Sequence, residues 1–174
     1  YEIEIGGDLE RSENSSAHIV AMLPLIIFII MTLLMFQLQN VRAMVLTLLT
    51  APLGIIGVIF ALVILQKPLG FVAELGVIAL FGMIIRNSVI LIDQMQQHLA
   101  KGENLHDAII DSAILRFRPI MLTAAAAILG MLPLMTSIFW GPMAVAISGG
   151  LLIATILTLL VLPVMFAATS RYKF

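Results

Sequence analysis

The residues with the clearest chemical potential are Arg86, Asn87 and Ser88, which follow one another inside a long apolar stretch. A charged side chain at such depth is costly, and it usually faces a bundle interior or a water-filled path. Arginine stays protonated in proteins, so Arg86 can only stabilise the ionised form of an acid that carries the proton. A buried arginine needs such a partner. Asp93 and Glu74 lie near the ends of the predicted helix, so we expect the partner outside this chain.

The alternative is that Arg86 extends to the nearer membrane surface. It lies six residues before Ile92, which is about 9 Å along a helix. Helical side chains lean toward the helix N-terminus, which here means away from that surface, so a buried counter-ion is favoured. Thr123 lies at comparable depth, about one turn into the next predicted helix. Its hydroxyl either joins the network of Arg86 or bonds the carbonyl of Pro119 in its own helix.

Membrane-spanning helices must hold these residues. Of the 174 residues, 61% are hydrophobic and 11% are charged, whereas soluble domains are about 45–50% apolar and 25% charged. A span needs about 20 mostly apolar residues. The predicted fold is therefore an all-α, polytopic membrane helix bundle in the lipid bilayer. Five stretches qualify as spans, at residues 17–38, 43–65, 71–92, 120–138 and 143–168, with a connector at residues 94–119.

The distribution of lysine and arginine predicts the orientation, because these residues accumulate in cytoplasmic loops. Five spans place the termini on opposite sides. One side carries Arg42, Lys101, Arg116, Arg118, Arg171 and Lys173, and the other carries Arg11 and Lys67. We therefore expect a cytoplasmic C-terminus and an N-terminus outside. Within the cytoplasmic connector, Asn104 and Asp107 form an approximate capping box, which predicts a short helix at the membrane surface.

Rows of small residues predict which helices pack against protein, because they let two backbones approach in lipid. The fifth span contains the row Ala146, Gly150, Ala154 and Thr158, and Gly82 and Gly130 belong to similar rows in the third and fourth spans. The first span has no such row. We expect the third, fourth and fifth spans inside a bundle and the first against lipid.

Several other chemistries are disfavoured. The chain has no cysteine, and its net charge of −1 includes no basic run for nucleic acid. His98 and His106 are eight residues apart without a third ligand at helical spacing, so no metal site and no cofactor are predicted. An intramembrane aspartyl protease would need two facing acids, whereas only Asp93 is available, at an edge.

Three motifs resemble the resistance–nodulation–division (RND) multidrug efflux transporters. Residues 82–93 (GMIIRNSVILID) resemble the tenth helix of that family, and residues 116–123 (RFRPIMLT) with 130–134 (GMLPL) resemble the start of the eleventh. Gly149-Gly150 and Leu162-Pro163-Val164 resemble the last helix. These motifs cover nearly the whole chain, in the order and spacing of the family.

The resemblance implies the C-terminal part of a twelve-helix, proton-driven transporter in the bacterial inner membrane, exporting amphiphilic small molecules such as drugs. It implies that residues 1–16 end a periplasmic porter segment and that residues 169–174 form a cytoplasmic tail. The implied partners are the missing N-terminal half of the same transporter, a periplasmic adaptor and an outer-membrane channel, in a homotrimer.

The resemblance also implies a proton relay. Arg86 stands where the best-known members have a lysine that pairs with two aspartates of the fourth helix. Thr123 matches the threonine of the eleventh helix that assists this relay, and Arg116 matches a further relay-associated arginine. Asn87, next to Arg86, is a further candidate for the relay. Arginine keeps the positive charge but fixes it, which puts in doubt any mechanism that requires this group to deprotonate. The alternatives are another cargo, such as lipids or metal ions, and a non-transporting membrane scaffold.

Overall fold

The computed structural model describes residues 7–171, and their side chains from residue 15 to residue 170. The predicted porter segment and the predicted tail therefore lie partly outside the described residues. The chain forms helices α1 (Gly7–Leu38), α2 (Val41–Thr50), α3 (Leu53–Ile64), α4 (Phe71–Ala100), α5 (Leu105–Met131) and α6 (Gly141–Arg171), with a 3₁₀ turn at Leu132–Thr136. Within this part of the chain, five helical segments are long and apolar enough to span a membrane. The all-helical, five-span fold is confirmed.

The second span is broken into α2 and α3 at Pro52, which has no amide hydrogen for the helical ladder. Two turn-like bonds cross the break, from the amide of Gly54 to the carbonyl of Ala51 at 3.2 Å and from that of Ile55 to that of Pro52 at 3.0 Å. At the start of α2, the side chain of Asn40 accepts a 2.9 Å bond from the amide of Arg42. Asn40, between the first two spans, thus caps the N-terminus of α2.

Most of the predicted connector at residues 94–119 is helical and continues the two neighbouring spans. α4 continues past Ile92 to Ala100, and α5 runs without interruption from Leu105 through Pro119 into the fourth span. The turn between them is only four residues long. Asn104 precedes α5 in an extended conformation but makes no side-chain capping bond, so the capping box does not form.

Helix α6 is the centre of the bundle and packs against α3, α4 and α5. Its closest approach is to α3, where a Cβ atom built on Gly57 would lie 2.6 Å from the carbonyl oxygen of Gly149 and 2.9 Å from Cα of Gly150. The whole row from Ala146 to Thr158 is buried. The second span therefore packs inside the bundle, a role that sequence reasoning had assigned to the third, fourth and fifth spans.

The outer helices differ from this core. In α1, among the described side chains, only Leu34 and Leu38 are buried, and Phe36 is 79% exposed. This fits the expectation of a lipid-facing first span. α5 is also largely uncovered in this chain, with buried residues only on the side that meets α4 and α6. The interior position expected for the fourth span therefore stays a prediction about contacts with parts of the protein beyond this chain.

Candidate functional site

A layer of buried polar side chains crosses the middle of the bundle between two apolar clusters. One cluster gathers around Leu80, Ile84 and Ala154, and the other around Leu91 and Leu162. Between them, at the same level of three helices, lie Thr47 and Thr50 of α2, Asn87 and Ser88 of α4, and Thr155 and Thr158 of α6, all buried. Buried polar groups in an apolar interior are costly unless they form hydrogen bonds. The hydrogen bonds of these side chains therefore matter for how the three helices pack here.

Thr50 and Ser88 form a side-chain hydrogen bond between α2 and α4 within this layer. Their hydroxyl oxygens are 2.7 Å apart, and the Thr50 hydroxyl donates to the carbonyl of Thr47 at 2.6 Å. A hydroxyl has a single proton, so Ser88 is the donor toward Thr50. This bond attaches the end of α2, next to the Pro52 break, to α4.

Arg86 lies at the same level but on the opposite side of α4 from Ser88. It shares an exposed face with Ala79 and Gly82, at helical spacings of three and four residues. A Cβ atom built on Gly82 would meet nothing within 4 Å. Among the described side chains no carboxylate forms an ion pair with Arg86. The arginine is thus at the midpoint of a 30-residue helix, on a face that this chain leaves open.

The contact between α4 and α5 shows where Thr123 and Arg116 lie along the bundle relative to Arg86. Arg116 donates two hydrogen bonds to Oε1 of Gln94, from Nε at 3.1 Å and from a terminal nitrogen at 2.8 Å. The two helices run in opposite directions. Counting eight residues away from the Arg116–Gln94 contact reaches Arg86 on α4 and Ala124 on α5, so these two residues lie at the same level of the bundle. Thr123 is therefore near the level of Arg86. Arg116 lies about 12 Å further along the axis and joins the two helices near their connection.

Within this chain, the Thr123 hydroxyl bonds its own helix. It donates to the carbonyl of Ile120 at 2.9 Å, rather than to that of Pro119, and the residue is exposed on α5. The structure thus brings Arg86, Asn87 and Thr123 to one level without direct bonds between them.

The four predicted packing residues fall into two groups. Gly150 and Ala154 are buried in the core of the bundle. Gly82 and Gly130 are exposed, with open space beside each. A packing role for the second pair is therefore a prediction about contacts with parts of the protein beyond this chain.

Sequence reasoning missed the hydroxyl layer. Thr47 and Thr50 were not singled out, and Thr158 was read only as part of a packing row. A signal was present, because Thr47 with Thr50 and Thr155 with Thr158 each repeat a hydroxyl at a spacing of three within apolar spans. The oxygens of Ser148 and Thr158 are buried without a protein partner among the described residues.

A bundle of membrane-spanning helices with an arginine side chain on an exposed face at mid-height is typical of a segment of a larger polytopic membrane protein. The chain belongs to the AcrB/AcrD/AcrF family, whose family model matches residues 1–170. This confirms the resemblance to RND transporters. Members of the family are multi-pass inner-membrane transporters and not enzymes.

Individual relatives are metal-resistance proteins. The nickel-cobalt-cadmium resistance protein NccA of Alcaligenes xylosoxydans xylosoxydans is 34% identical over 97% of this chain. The cobalt-zinc-cadmium resistance protein CzcA of Cupriavidus metallidurans is 30% identical over 98%. The structure is similar to the X-ray crystal structure of a heavy metal efflux pump (crystal form II), with a TM-score of 0.83 and 30% sequence identity. The match covers 95% of this chain and 17% of the solved chain. The chain spans only 16–17% of the length of the curated relatives.

Proposed function

We propose that this chain is the C-terminal membrane segment of a proton-driven transporter that exports divalent metal cations. The observation that carries the cargo is the similarity to NccA and CzcA, whose names describe resistance to nickel, cobalt, zinc and cadmium. The similarity extends over nearly the whole chain. It favours the metal-ion alternative over the amphiphilic drugs that the motif resemblance implied.

The segment contributes the fixed positive charge of the proton relay. Arg86 is exposed on α4 at the middle of the bundle, and an arginine facing lipid there would be costly. Its open face is flanked by Ala79 and Gly82, which let another backbone approach. A carboxylate on a helix outside this chain then pairs with Arg86 and releases or takes up the transported proton.

The polar neighbours have supporting roles in this proposal. Asn87 is buried next to Arg86 in the chain, and the Thr123 hydroxyl lies at the same level. Arg116 holds α4 and α5 together through Gln94 and so positions the relay rather than joining it. A fixed positive charge repels a metal cation, so this level suits proton transfer and not the cargo route.

We extend the proposal to the assembly of the full-length transporter. The missing N-terminal half supplies the acidic partner of Arg86, and the transporter works as a homotrimer with a periplasmic adaptor and an outer-membrane channel. We propose a periplasmic N-terminus and a cytoplasmic C-terminus for this segment. The clustering of lysine and arginine on one side supports that orientation.

Growth of cells that lack their own metal exporters tests the cargo. Cells that express the full transporter with its adaptor and channel should tolerate more nickel, cobalt, zinc or cadmium than cells with an empty vector. Their tolerance of amphiphilic dyes should be unchanged. Tolerance of dyes without tolerance of any of the four metals would contradict the cargo and restore the drug alternative.

A further inference from the structure

Three metal-ligating side chains meet where α4 turns into α5. His98 lies in the last turn of α4, Glu103 lies in the connecting turn, and Asp111 lies in the second turn of α5. One ligand atom from each of the three lies within 4.8 Å of the other two. His106 is not part of this cluster; its side chain is 83% exposed and lies 3.7 Å from Asp107.

The backbone of the turn creates this cluster. Gly102 has a φ of +88°, a conformation that glycine adopts at little cost, and it reverses the chain after α4. The amide of Glu103 then bonds the carbonyl of His98 at 3.4 Å. Glu103 Oε2 comes to 2.7 Å from Nδ1 of His98. Ala108 and Ser112 are fully buried on α5, which fixes the helix that carries Asp111.

We propose that His98, Glu103 and Asp111 bind one divalent transition-metal ion of the zinc, cobalt or nickel class. An imidazole nitrogen with two carboxylate oxygens matches the donors that these ions accept, and three protein ligands leave a position for water. Calcium and magnesium prefer all-oxygen sites. Ligand atoms around such an ion are about 3.3 Å apart, so Asp111 must move inward by about 1.5 Å at most, and the His98–Glu103 contact must open slightly.

The burial and charge of the three side chains support an ion rather than a simple pair. The His98 side chain is 10% exposed and that of Glu103 is 33% exposed, so the imidazole is held rigidly while an opening to water remains. Asp111 is exposed and reaches the cluster from that side. A single histidine can neutralise at most one of two neighbouring carboxylates, whereas a divalent ion balances both. The ion would take the place of the direct His98–Glu103 hydrogen bond.

This site is separate from the proton relay. Arg86 lies twelve residues before His98 on α4, which is about 18 Å along the helix axis. The proposal concerns binding alone and does not depend on which cargo is exported.

Counting bound metal in the full-length transporter tests the site. Detergent-purified transporter is dialysed against Co²⁺, and bound cobalt is measured for the parent, His98→Ala and Asp111→Asn, together with the visible absorption of protein-bound cobalt. We expect each variant to bind one equivalent less than the parent and to lose part of the absorption. The matched controls, His106→Ala and Asp107→Asn, lie in the same segment and should bind as the parent does.

Asp111→Asn keeps the test decisive if the buried His98 is needed for folding, because Asp111 is exposed. Equal cobalt binding by the parent and Asp111→Asn would overturn the proposal, whether or not the transporter exports metals. A loss of one equivalent in both control variants as well would also overturn it, since it would assign the cobalt to general charge in the turn.

Discussion

The contact between α3 and α6 makes a quantitative prediction at Gly57. A Cβ atom there would lie 2.6 Å from the carbonyl oxygen of Gly149 and 2.9 Å from Cα of Gly150, whereas ordinary contact begins at 3.4 Å. These are backbone atoms, which cannot rotate away as a side chain can. In Gly57→Ala the two helices must therefore separate by several tenths of an ångström.

The expected cost combines two opposing effects. Overpacking of a tight interior costs about 1–3 kcal/mol, and alanine recovers up to about 1 kcal/mol through its higher helix propensity. We expect Gly57→Ala to lower the free energy of unfolding by about 1–2 kcal/mol. Gly54→Ala is the matched control on the same helix. The nearest atoms to its Cβ would be side-chain atoms of Ile84 and Leu80, which can move more easily than backbone, so we expect a smaller cost than for Gly57→Ala.

Equilibrium unfolding of the full-length transporter in mixed micelles, with increasing SDS, measures both variants. The expected order of stability is parent, then Gly54→Ala, then Gly57→Ala. A Gly57→Ala protein as stable as the parent would show that α3 and α6 do not meet backbone to backbone. A greater loss for Gly54→Ala would show that side-chain tips, and not backbones, limit the packing.

Three further predictions concern the polar layer, the proposed relay and the orientation. Thr50→Val should lower the free energy of unfolding by about 1–3 kcal/mol, because it leaves the Ser88 hydroxyl buried without its acceptor. The double variant with Ser88→Ala should lose less than the sum of the two single variants. Additive losses would contradict the 2.7 Å bond between the two hydroxyls. Thr123→Val should change stability by less than about 0.5 kcal/mol, since its hydroxyl bonds only its own helix in this chain, yet reduce proton-coupled efflux; normal efflux would remove Thr123 from the relay. A topology reporter after Lys173 should report the cytoplasm and one in the loop at Pro68 the periplasm, and the reverse pattern would contradict the orientation.

The spans were predictable because lipid imposes a simple rule of length and apolarity. The burial of Gly150 and Ala154 follows from their four-residue spacing. The break at Pro52 does not follow from the proline alone, because Pro119 lies inside the unbroken helix α5. The extension of α4 to Ala100 was not predictable from hydropathy. Once the chain leaves the hydrocarbon core, polar residues such as Gln96 and Gln97 are compatible with helix, loop or turn.

The site was predictable only in part. The isolation of Arg86 among apolar residues identified it, but the open face beside Gly82 and the distance to Arg116 depend on how α4 pairs with α5. The cluster at His98 was not found, because its acids reach it through a glycine turn and an adjacent helix rather than at one helical spacing. Contacts of that kind depend on tertiary structure.

Proton-coupled metal transport by reconstituted transporter tests the central claim most directly. Full-length protein in liposomes with an imposed proton gradient is compared with Arg86→Ala, with Arg86→Lys, and with Arg42→Ala as a control for the loss of an exposed arginine. Gradient-driven movement of zinc or cobalt should be lost in Arg86→Ala, substantially retained in Arg86→Lys and normal in Arg42→Ala. Movement by Arg86→Ala at the parental rate, with the same dependence on the gradient, would contradict the assignment of Arg86 to the proton relay.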